Sequence, residues 1–119
     1  MRSGRLKHGV FLQENVEIPD PRSGQKVKEW ETRHIVFAGI EPLRGRELYA
    51  AQQFNSEVTV RIVMRWHPDI AAVLDHSWSV LLSANSLTKQ AAVRYQILHD
   101  PINPDMRNRE LHLMCKVVS

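Results

Sequence analysis

The stretch whose reading decides the fold runs from Ile40 to Trp66, IEPLRGRELYAAQQFNSEVTVRIVMRW. From Glu57 to Trp66 every even position is apolar (Val58, Val60, Ile62, Met64, Trp66). Glu57, Thr59, Arg61 and Arg65 hold the odd ones, and Val63 alone breaks the pattern. Because successive strand side chains point to opposite faces, this alternation predicts a strand of roughly 33 Å with one face in a core and a cationic face in solvent. Upstream, Pro42 and Gly45 signal a turn. Arg46 to Gln53 are helix formers, with Glu47 in the first turn where a carboxylate meets the positive end of the helix dipole. About two turns of helix fit there, with Leu48 and Ala51 on the buried face and Asn55 as a left-handed cap before the strand.

Working outward toward the N-terminus, Lys26 to Ile40 reads as a second strand, apolar at Trp30, Val36, Ala38 and Ile40 and again on the opposite face at Ile35 and Phe37. That pattern predicts burial on both faces near the strand's end. Its length exceeds that of an ordinary strand, which predicts a bulge or bend near His34 or at Gly39. Pro19, Asp20, Pro21, Ser23 and Gly24 mark a turn before it, and Leu6 to Val16 form the preceding strand. Residues 1–5 make a flexible basic lead.

Toward the C-terminus, His67-Pro68-Asp69 ends the central strand and Ile70 to Leu74 make a helical turn. Trp78 to Leu82 resumes extended structure, and Ser83 to Lys89 is a polar loop or hairpin tip. Val93 to Ile97 and Leu111 to Val117 alternate as two further strands around a turn-rich link from His99 to Asn108. Five to six strands with one short α-helix predict a mainly β fold, a small antiparallel β-barrel or curled sandwich forming a single domain over residues 1–119.

Composition agrees with one ordinary core. The chain is 43% hydrophobic and 24% charged, with a formal charge of +3 and a pI near 9.4, which permits nucleic-acid or acidic partners without requiring them. The single cysteine, Cys115, excludes an intrachain disulfide, and its place in an apolar alternation marks it as a small buried hydrophobe suited to a reducing compartment. Gly9 to Leu12 is too short for a signal-peptide apolar region, and no run approaches membrane-spanning length.

Chemistry is sparse. His67 with Asp69, and Asp75 with His76, lack the second ligand pair that a zinc site requires, so neither metal nor cofactor is expected. Asp75, His76 and Ser77 or Ser79 spell a triad on paper, but neighbours in a strand face opposite ways. With no nucleophile elbow, P-loop or dinucleotide fingerprint, the chain reads as no enzyme. Arg44 and Arg46 around Gly45, with Arg61 and Arg65 on the outward strand face, form a set able to contact phosphates. The plainer reading is a charged face that keeps a strand soluble. Tyr49 and Phe54 either stack on bases or pack locally, and together with the arginines they carry the alternative of a small nucleic-acid-binding barrel.

The ordered pattern says more. Gly4-Arg5-Leu6-x-His8 precedes a turn and the Trp30 segment. Then come Ala38-Gly39-Ile40-Glu41-Pro42-Leu43-x-Gly45-Arg46-Glu47, Ala51-Gln52, Glu57-Val58-Thr59-x-x-Ile62 with Arg65-Trp66, and a closing Arg109-Glu110-Leu111-x-Leu113-x-Cys115. Over nearly its whole length the chain resembles the head-tail adaptor proteins, also called head-closure, stopper or head-tail joining proteins, of tailed phages and prophages. The resemblance implies a small β-barrel that assembles as a homo-oligomeric ring under portal or adaptor proteins. Such a ring closes the DNA-filled head and docks the tail through a tail completion protein. It also implies a virion location after assembly in the host cytoplasm, and non-specific contact with packaged double-stranded DNA. On that pattern Glu41, Arg44, Arg46, Glu47, Tyr49, Gln52 and Gln53 are candidate subunit or channel contacts, and Arg44, Arg46, Arg61 and Arg65 are candidate DNA-facing residues.

Overall fold

The alternating segments pair into a closed six-stranded antiparallel barrel, in a computed structural model that describes residues 6–84, 87 and 91–118. Its elements are β1 (His8–Pro19), β2 (Lys26–Pro42), α1 (Gly45–Phe54), β3 (Val60–Arg65), α2 (Pro68–Val73), β4 (Ser79–Leu82), β5 (Val93–Ile97), a 3-10 turn (Pro104–Met106) and β6 (Glu110–Val118). Around the barrel the order is β1-β2-β3-β6-β5-β4. The basic lead at 1–5 and most of the loop expected from Ser83 to Lys89 lie outside the described residues.

Alternation explains the interior. Val10, Leu12, Ala38, Ile62, Met64, Val80, Leu113 and Cys115 are wholly buried, and with Trp78, Tyr95 and Ile97 they form one contiguous core. The central strand behaves as its pattern predicts, with Val60, Ile62 and Met64 inward and Arg61 and Arg65 outward. It begins at Val60 rather than Glu57, however. Val58 is nevertheless buried, in the loop leading in, because the Val58 N–H donates to the Asn55 carbonyl and the Thr59 N–H to the Cys115 carbonyl. Val63, the one apolar outward position, is fully buried between its ladder partners Gly39 and His112.

Several expectations need correction. The first strand starts at His8, not Leu6, and continues to Pro19, past Val16. The second continues through Pro42, two residues past Ile40. Asn55 is extended (φ −149°, ψ 117°) rather than left-handed, because the chain leaves α1 directly toward β3 and needs no reversal there. Leu48 and Ala51 are only half-buried, and no residue of α1 is buried outright. β2 is not buried on both faces: Ile35 and Phe37 are 69% and 67% exposed.

The expected bend is found at His34. Leu12 pairs with His34 but Gln13 pairs with Thr32, so Arg33 is one residue extra on β2, a bulge that bends the ribbon. Beyond the last β1–β4 pair, Gln13 with Ser79, β1 from Glu14 and β2 up to Glu31 run on as a two-stranded arm past the barrel's end. The arm raises the radius of gyration to 15.3 Å, against about 13.5 Å for a compact chain of this length. Its tip is a turn built on Asp20, whose carboxylate accepts from the Arg22 N–H and the Ser23 hydroxyl, closed by Gly24 at φ +73°.

Candidate functional site

Two outer surfaces carry the polar chemistry, and the first is the α1 segment. Its base is fixed to the barrel: Leu43 is buried, its N–H donating to the Thr59 carbonyl at 3.0 Å. The Gln52 amide donates to the Val58 carbonyl at 3.2 Å. Arg61, half-buried on β3, donates from Nε and Nη2 to Glu41 Oε1 at 3.3 and 3.2 Å, and its Nη2 lies 3.7 Å from Glu47 Oε2. This three-residue cluster joins β2, β3 and the first turn of α1. Its charges are partly shielded from water, so the pairing contributes about 1 kcal/mol at most.

The sequence-selected residues therefore separate into two groups. Glu41, Glu47, Gln52 and Arg61 hold the segment to the barrel. Arg44, Arg46, Tyr49 and Gln53 face solvent, with Tyr49 72% exposed. Gly45, between the two exposed arginines, sits at φ +57°, which a side chain would strain. Arg65 is exposed at the far end of β3, four residues or about 13 Å along the strand from Arg61. Under the helix, Leu43, Ala50, Ala51, Val58, Ile102 and Met114 line an apolar groove of about 400 Å³. One of its walls comes from the Leu98–Ile102 segment, hydrogen-bonded alongside β6.

The second surface is the arm, which the sequence reading described only as strands. Its lower part is fastened to the outer face of β4 and β5, where the Arg94 guanidinium lies 4.9 Å above the Trp30 ring. Arg94 Nη1 donates to Gln13 Oε1 at 2.8 Å and to the Ser79 hydroxyl, while the Gln13 amide donates to the Thr32 hydroxyl at 3.0 Å. Gln13 and Ser79 are the buried polar residues among those described, and this network satisfies both. Desolvation lowers the Arg94 pKa from its ordinary value. At the arm's base, His34 stacks on Trp78 at 6.4 Å. The signal available in the sequence was Trp30, a large aromatic among charged residues.

The paper triad does not assemble. His76 Nδ1 pairs with Asp100 Oδ1 at 3.0 Å, whereas Asp75 accepts from the backbone N–H and hydroxyl of Ser77. Asp100 raises the His76 pKa, chiefly through that hydrogen bond, and His76 in turn lowers that of Asp100. Burial pushes the Cys115 thiol far up, which leaves it unreactive. Among the described residues no three His, Cys, Asp or Glu side chains cluster as a metal site, and no helix is long and apolar enough to cross a membrane.

These features define a class, a small closed β-barrel whose polar chemistry lies on its outside. More specifically, residues 1–118 match the family model of the phage head completion protein, and the chain belongs to that family, a family of structural proteins of the phage head. Among solved structures it is similar to a protein of Shigella flexneri 2a determined in solution. The two share 21% identity over 98% of this chain and 96% of that one, with a TM-score of 0.68. It is also similar to a chain in the virion of a native gene transfer agent particle, at 21% identity over 96% of each chain and a TM-score of 0.55. No curated protein matches it.

Proposed function

We propose that this head completion protein acts as a non-enzymatic ring at the head-tail connector, closing the DNA-filled head beneath portal or adaptor proteins and offering a docking surface to a tail completion protein. The observation that carries the reading is the α1 segment. It is tied down at Glu41, Glu47, Gln52 and Arg61, yet it holds Arg44, Arg46, Tyr49 and Gln53 in water. A rigid mount with exposed cations and an exposed aromatic suits contact with a neighbouring subunit, and non-specific contact with packaged DNA needs only backbone electrostatics. In this reading Arg44 and Arg46 face the channel. Arg61 positions the segment rather than meeting DNA itself, and Arg65 adds a peripheral charge. Assembly takes place in the host cytoplasm and the product is a virion component.

The test is to mix the full chain with portal complexes from the same genome and image them by electron microscopy. The expected result is an added ring of density at the portal's tail-facing end. Portal complexes that gain no density over a wide range of protein concentration would refute the reading.

A further inference from the structure

The arm is bound to itself far more than to the barrel. Among the described residues, the hydrogen bonds and ion pairs of residues 14–31 stay inside the β1–β2 ribbon: the ladder, the Arg33 guanidinium with Glu14 and Glu31, and the tip turn around Asp20. What crosses to the barrel is the Arg94–Trp30 contact, a cation 4.9 Å over a ring that is still 39% exposed. Beside that contact the two surfaces do not close. Asn15, Glu17 and Lys28 of the arm and Gln96 of β5 line a hollow of about 680 Å³, and among the described residues none of these four side chains makes a hydrogen bond or ion pair across it.

The bonds at the arm's base belong to the barrel instead. Gln13 is the last β1 residue paired with β4, through Ser79, and both accept from Arg94. Those bonds are kept wherever the arm points. Between the barrel and Trp30 lies the Arg33 bulge, where β2 has one residue extra and the regular ladder is interrupted, the kind of place at which a ribbon bends.

We infer that the arm is a hinged strap with two positions, docked and released, which exchange by rupture of the Arg94–Trp30 contact while the barrel stays intact. A guanidinium over a partly exposed indole favours contact by a factor of roughly two to five, so between about a sixth and a third of the molecules hold the arm free. That fraction decides what the arm can do. A partner that grips only the released arm loses roughly three- to sixfold in affinity, whereas an element held by apolar burial, such as the inward face of β1, would first have to be pulled from the core. The arm is thus available to a neighbouring molecule without any part of the barrel unfolding.

To test it, the full chain is spin-labelled at Arg22→Cys in the arm tip and Arg65→Cys on β3, both exposed positions, while the buried Cys115 takes no label. Pulsed electron resonance then gives the distribution of distances between tip and barrel. The expected result is a narrow main distance with a broad second component of roughly a sixth to a third. Trp30→Leu, which keeps apolar bulk but has no π face, should make the broad component dominate, and Trp30→Phe should lie between the two. In every variant Ile62 and Leu113 should keep their hydrogen-exchange protection. A single narrow distance that Trp30→Leu leaves in place would overturn the inference, as would a distribution already broad in the unsubstituted chain and the same in all variants. Loss of protection at Ile62 and Leu113 together with release would also overturn it, because the arm would then be part of the barrel's cooperative unit.

Discussion

β1 and β2 each belong to two regions that are held by different forces. In the barrel their inward residues Val10, Leu12 and Ala38 lose all contact with water, and the structure there is fixed by apolar burial. Past the Arg33 bulge, residues 26–33 of the same ribbon are exposed without exception. A lone two-stranded ribbon is marginal in water, and here a cation, an indole and two buried polar groups hold it against the barrel. The lesson is that a non-directional force sets the barrel's shape and a directional polar network sets the arm's angle, so the two should respond separately to substitution.

The largest expected effect comes from the barrel. Leu113→Ala removes a fully buried side chain and should cost about 2–5 kcal/mol, read as a lower urea midpoint at which barrel and arm unfold together. Next, Arg94→Met should cost about 1–3 kcal/mol, because the Gln13 carbonyl and the Ser79 hydroxyl lose their donor. Hydrogen exchange sharpens the comparison here: arm amides from Lys26 to Thr32 should lose protection while Ile62 and Leu113 keep theirs. Uniform loss would break it, showing that the two regions form one cooperative unit.

Replacing Arg44 and Arg46 together by Ala should change stability by less than about 0.5 kcal/mol, since both are exposed. It should nevertheless weaken ring formation on portal complexes or retention of packaged DNA. A collapsed protein, seen by circular dichroism, would show that the start of α1 belongs to the barrel rather than to its outer surface. The smallest effect concerns His76, which lines the hollow between arm and barrel and pairs with Asp100. Its titration midpoint, followed by NMR, should lie above the usual 6.5 and return toward it in Asp100→Asn. The raised histidine stabilises below pH about 6.5 and loses its contribution as pH rises through the folded value. The lowered aspartate stabilises above about 4 and loses its contribution as pH falls. The pair therefore acts mainly between those limits, and moving through them should leave the urea midpoint of the barrel almost unchanged.

The barrel was legible because period-two alternation is strict wherever one face is dry: Val60, Ile62 and Met64, and Leu111, Leu113 and Cys115, all read correctly. The bend was legible from length alone, and the family from ordered motifs such as Ile40-Glu41-Pro42-Leu43. The arm's docking was not, because Gln13 and Arg94 lie 81 residues apart and no local pattern joins them. Ile35 and Phe37 misled for a related reason. Alternation reports that a face is apolar, not whether this chain or another covers it. Of the α1 residues, sequence located the segment but could not separate Gln52, turned toward Val58, from Gln53 in solvent, because adjacent helical positions point about 100° apart and only docking decides which of them meets the barrel.

The arm has one further consequence. Among the described residues no strand pairs with β2 from Lys26 to Phe37, or with β1 from Glu14 to Pro19, on the side away from its partner. Bare strand margins invite other chains to zip on. Here those margins carry Lys26, Lys28, Glu29, Glu31, Arg33 and Pro19, which make an approaching backbone shed water from charge after charge, or meet a missing N–H. The same ribbon that reaches out from the barrel thus discourages amyloid-like stacking of one copy on another.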